Sequence, residues 1–121
     1  MGNSRKQDRG QTDEYLVAYY CATGEPVGRV RNLTIGGAML MSDERVAVPV
    51  CIRCNMVLPD IIEGCREISF FMESKWCQEN RIAHWFETGY EFVDLSDIHR
   101  KIFERLADEW MTIPAPKSPT R

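Results

Sequence analysis

Along most of the chain, apolar and polar residues alternate in short runs punctuated by Gly, Pro and Asp, and only near the end does the period lengthen to that of a helix. Tyr15 to Cys21 (YLVAYYC) is dense in β-formers and predicts a first strand. ATGEPVG supplies the Gly and Pro of a turn. Arg29 to Leu33 alternates charged and apolar residues, with Val30 and Leu33 as core candidates, IGG breaks the run, and Ala38 to Met41 resumes it. After a turn at SDE, Val46 to Leu58 reads as a long strand. Pro49 has no N–H for a ladder, so it marks the start, an edge or a bulge of that strand. PDIIEG reads as a loop and Glu67 to Cys77 as a fifth strand. Arg81 to Val93 contains a sixth, interrupted at Glu87–Gly89.

The different period begins at Ser96. SDIHRKIFERLADEW places Ile98, Ile102, Leu106 and Trp110 four apart, with Phe103 and Ala107 adjoining. Ser96 suits an N-cap and Asp97 the positive end of a helix dipole. A helix over 97–110 with one apolar stripe has to pack on something. Strands in series closed by one helix predict an all-β fold, an antiparallel barrel or sandwich with the helix as a lid. The expected division is a polar arm over 1–13, a single domain over 14–111 and a frayed Pro-rich tail over 112–121.

Composition narrows the function more by exclusion than by indication. The N-terminus has no apolar centre of a secretory signal, and no apolar run approaches membrane-spanning length, so the expected location is cytoplasmic. The formal net charge of −3 argues against a general nucleic-acid binder. Charge is nevertheless uneven, with Arg5, Lys6 and Arg9 clustered at the front and Arg29 and Arg31 further on. Five cysteines without a secretory signal suggest reduced thiols. The CIRC element, Cys51 to Cys54, sits in a predicted strand, where residues three apart face opposite ways, and no second CxxC accompanies it, so no metal site is expected. GxSxG, P-loop and HExxH patterns are missing, and neither His84, placed in a strand beside Trp85, nor His99, placed on the polar side of the helix, has a sequence partner for catalysis. A catalytic role is not expected.

Two short elements remain, Arg5-x-x-x-Arg9 and Asn32-x-Thr34-x-x-Gly37, the second within GRVRNLTIGGAMLM. Taken alone, that stretch is either a plain hairpin or a phosphate-holding turn. With RKQDR ahead of it and TGYEFVDLSD before the last helix, the chain resembles the PilZ domain family over roughly residues 5–110. The family pattern is RxxxR in an N-terminal loop and [D/N]xSxxG at a turn between strands. Here Thr34 stands for the usual Ser, keeping the hydroxyl but adding a methyl that restricts χ1.

The resemblance implies a six-stranded antiparallel β-barrel of Greek-key type, capped by an α-helix, that binds the bacterial second messenger cyclic di-GMP without chemical change. No further cofactor is implied. Arginine suits such a ligand because its planar fork can hydrogen-bond guanine, pair with phosphate or stack on a base. By resemblance Arg5 and Arg9 take these roles. Asn32 would hydrogen-bond a guanine edge and Thr34 would offer its hydroxyl. Gly37, with Gly36 beside it, would permit a turn or a close approach. Trp76 stands where many family members carry a Trp that stacks on a guanine. The implied partners are cyclic di-GMP and a downstream protein, to a chain that is a monomer or a dimer. The alternative is an adaptor of the same fold that binds nucleotide weakly or not at all.

Overall fold

The computed structural model describes residues 16–110. Tyr15, the arm with Arg5 and Arg9, and the Pro-rich tail lie outside the described residues. Within them are strands β1 (Val17–Tyr20), β2 (Pro26–Leu33), β3 (Gly37–Ser42), β4 (Cys51–Ile62), β5 (Cys65–Asn80) and β6 (Trp85–Val93), followed by helix α1 (Asp97–Glu109). The strands form a closed barrel in the order β1-β2-β3-β6-β5-β4, every pair antiparallel. The all-β architecture with one C-terminal helix is therefore the one the patterning predicts.

Strand boundaries differ from the sequence reading in physically instructive places. Consecutive strands β3 and β4 are not neighbours, so the chain must cross the barrel mouth between them. Val46–Val50, valine-rich and read as strand, belongs to this crossing, which contains a cis Val48–Pro49 bond. Ser74 of β5 ties it down: its hydroxyl donates to Ala47 O at 2.6 Å and accepts from Val50 N–H at 2.9 Å. Pro59 through Ile62, read as loop, continues β4 instead. Proline is tolerated there because the β4–β5 ladder shifts register between Val57 and Ile62. The reversal comes only at Glu63 and Gly64, both with positive φ. Glu87–Gly89 does not interrupt β6, which runs unbroken. His84 is exposed in the turn before β6, with φ of 65°, and not in a strand.

Inward-facing Val30, Leu40, Met56 and Met72 fill the barrel, each at most 2% exposed. Helix α1 stops one end. Ser96 accepts a hydrogen bond from His99 N–H at 3.1 Å, the N-cap its residue type predicts. Ile102, Phe103 and Leu106 are fully buried, whereas Ile98 and Trp110 are 43% and 38% exposed, so the middle of the predicted stripe seals the barrel. Phe103 stacks on Phe92 at 4.3 Å between centroids and meets Phe70 edge-on at 5.1 Å. Burying each such side chain contributes roughly 1.5–3 kcal/mol.

The cysteines follow the strand geometry. Cys51 is exposed and Cys54 buried, on opposite faces of β4. Burial pushes the Cys54 thiol up to about 12, with Cys21 and Cys51 adding to the effect. Among the described residues, no His, Cys, Asp and Glu side chains group to hold a metal, and no helix is long and apolar enough to cross a membrane.

Candidate functional site

Strand register carries the outer residues of four strands into one line. Asn32 of β2 pairs with Met39 of β3, Met39 with Gly89 of β6, and Gly89 with Trp76 of β5. Next to it runs a second line in which Gly37 pairs with Glu91 and Glu91 with Glu73.

A β-bulge stands at each end of the first line. Register shifts between Val30 and Asn32, so Arg31 and Asn32 are both exposed while Val30 and Leu33 are buried. It shifts again between Ser74 and Trp76, so Lys75 and Trp76 are both exposed next to the buried Ser74. An extra residue in one strand does this by re-aiming the side chains beside it.

Between the bulges lies an open concavity of about 360 Å³, lined by Asn32, Thr34, Gly36, Gly37, Ala38, Met39, Lys75, Trp76, Gly89, Tyr90 and Glu91. Asn32, Thr34, Gly36, Gly37 and Trp76, each singled out from the sequence, are thus brought to one place. Arg5 and Arg9 lie outside the described residues. Lys75, Gly89 and Glu91 were not singled out from the sequence.

One wall is the β2–β3 turn. Thr34 N–H donates to Gly37 O at 2.9 Å. The Thr34 hydroxyl donates to the same oxygen at 3.2 Å and accepts from Gly36 N–H at 3.3 Å and Gly37 N–H at 3.2 Å. Gly36 O in turn accepts from Phe92 N–H at 3.0 Å, which anchors the turn to β6. The hydroxyl read from the sequence as a ligand contact therefore has work within the turn. A Cβ on Gly37 would collide with the backbone oxygen of Tyr90, so glycine is needed for the close approach of β3 to β6. Gly36 opens onto free space, and neither a contact nor its backbone angle requires glycine there.

The other wall is the β5 bulge. The indole of Trp76 lies over Gly89, in the space a Cβ would occupy, yet Trp76 remains 43% exposed. Lys75 Nζ is 3.2 Å from Glu91 Oε1 and 3.3 Å from Glu73 Oε1. Glu91 first and Glu73 second hold the Lys75 ammonium above its usual range. Tyr90 is buried in the core cluster, and burial pushes its hydroxyl's pKa up.

An exposed indole, a primary amide, an ammonium and a carboxylate thus surround a floor made of Met39 and Gly89. Strands are spaced about 4.8 Å apart, so Asn32 stands about 10 Å from β6, over which the Trp76 ring leans. The exposed part of the indole offers an aromatic face, and the amide, ammonium and carboxylate offer hydrogen-bonding groups around it. Near the other mouth, Tyr19, Glu25, Arg29, Asp43, Glu44 and Arg45 border a larger concavity of about 590 Å³ that contains none of the motif residues. Comparison of the chain with models of known protein families, with curated proteins and with solved structures finds no match in any of the three.

Proposed function

We propose that this protein is a PilZ-type cytosolic receptor that binds cyclic di-GMP without altering it. The observation that carries the reading is the convergence of Trp76 with Asn32, Thr34 and Gly37, which lie far from it in the chain, on one concavity of about 360 Å³. The route of the N-terminal segment also supports it. Leu16 O accepts from Val30 N–H at 2.7 Å, so the chain enters β1 beside the β2 residues that lead to Asn32. Arg9 lies seven positions before Leu16, a length of chain that spans at most about 25 Å. Arg5 and Arg9 can therefore supply cations that the concavity, with Glu91 against Lys75, does not have in excess. Ligand held jointly by the arm and the barrel wall forms a surface that neither presents alone, and a partner protein reads that surface.

Calorimetry on the purified full chain tests the reading. Cyclic di-GMP should bind with measurable heat, and Arg9→Ala should abolish binding. No heat at tens of micromolar ligand would reject the receptor role, and unchanged affinity of Arg9→Ala would reject that residue's part in it.

A second reading, an adaptor of the same fold that no longer binds nucleotide, is favoured by one feature. The Thr34 hydroxyl and the Lys75 ammonium are both engaged within the protein. Partner capture indifferent to nucleotide, together with the absence of calorimetric heat, would select it.

A further inference from the structure

A carboxylate in the concavity is the feature that a dianionic ligand leaves unexplained. Glu91 lines it, and its side chain is 60% exposed. On β6 it stands two residues beyond Gly89, on the same outer face, and so about 7 Å along the strand from the spot that the Trp76 ring covers. A ring stacked on Trp76 therefore presents an edge toward Glu91.

We infer that Glu91 reads the Watson–Crick edge of a guanine stacked on Trp76, which makes the site selective for guanine over adenine; the inference rests on the cyclic di-GMP reading. Guanine offers two adjacent donors on that edge, N1–H and the N2 amino group. An ionised carboxylate has two oxygens and about four lone-pair sites, so it can accept both in a bidentate pair. Adenine offers one donor, the N6 amino group, next to the N1 lone pair, which faces the carboxylate unfavourably. Lys75 gives the arrangement its charge balance. Its ammonium contacts Glu91 through Oε1 and occupies only part of that acceptor capacity. It also compensates the charge that would otherwise repel the ligand phosphates. Asn32, on the other side of the Met39–Gly89 floor, is left for a second edge of the same base or for the neighbouring one.

The test compares cyclic di-GMP with cyclic di-AMP by calorimetry on the full chain and on Glu91→Gln and Glu73→Gln. The amide of Glu91→Gln supplies one acceptor and one donor, which suits adenine no worse than guanine. The wild type should prefer cyclic di-GMP by at least tenfold, and Glu91→Gln should lower that ratio by about tenfold to a hundredfold, the range of a good bidentate base contact. Binding of cyclic di-GMP with a ratio in Glu91→Gln within twofold of wild type would overturn the inference and leave the receptor reading standing. So would an equal change in Glu73→Gln, which removes the same charge from the far side of Lys75, because the cause would then be field and not edge recognition. Heat from neither ligand on the wild type would overturn both.

Discussion

The two walls of the concavity are built on opposite principles. The β2–β3 turn satisfies itself: the Thr34 hydroxyl and N–H, both glycine amides and Gly37 O close a small set of hydrogen bonds, and Gly37 presses on the Tyr90 backbone. The β5 bulge holds an exposed Trp76 and a Lys75 that two carboxylates share at the surface. Backbone resists displacement on the first wall, and only side-chain rotamers resist it on the second. Their difference teaches that the concavity combines a fixed reference edge with an adjustable one.

Mutations can break that contrast, and the largest effect belongs to the fixed wall. Gly37→Ala forces a methyl against the Tyr90 carbonyl and should destabilise the fold by roughly 2–3 kcal/mol, measured by denaturant unfolding. A loss below about half a kcal/mol would show that β3 can move away, and the wall would not be rigid. Next comes Thr34→Val, which keeps shape and loses the hydroxyl. It should cost about 1 kcal/mol, and Thr34→Ser should stay near wild type, since the bonds need only the oxygen. Equal stability of all three proteins would mean that the hydroxyl is not holding the turn. The smallest effect is expected from Gly89→Ala on the adjustable wall. The three atoms nearest to the added methyl all belong to the indole of Trp76, a side chain 43% exposed and able to swing outward, so stability should change by less than about 0.5 kcal/mol while the tryptophan emission shifts. Destabilisation on the scale of Gly37→Ala would erase the distinction between the walls.

The turn of the fixed wall was legible in the sequence because its signal is local: the glycines of NLTIGG punctuate two apolar runs. The bonds from the Gly36 and Gly37 amides to the Thr34 hydroxyl were not, since the motif points that oxygen at a ligand. The helix was legible for the same reason, its stripe and its Ser96 cap lying within a few turns. Lys75, Gly89 and Glu91 were not, because each acquires its place from a partner on another strand. Gly89 read as a break in β6, since nothing nearby reveals the indole that lies over it. Lys75 read as one more polar residue in a strand, since a register shift leaves no local mark. The Val46–Val50 crossing misled by propensity: its valines favour a strand, but closing the barrel required a connection there, and the Ser74 hydroxyl supplied its anchor. The convergence of Asn32 and Trp76 likewise depends on strand order, which puts β6 between β3 and β5.

The paired bulges have a consequence in the language of heredity. On either side of Arg31, Val30 and Leu33 face inward and Asn32 outward, the alternation a strand lacking Arg31 would have. The same holds around Lys75, between inward Ser74 and outward Trp76. Each cation is thus a supernumerary residue that the ladder accommodates without turning any core side chain out. A lineage can gain or lose such a charge, Lys75 at the concavity or Arg31 beside the Trp85 ring, by a single-codon insertion or deletion, leaving every neighbouring residue type as it was.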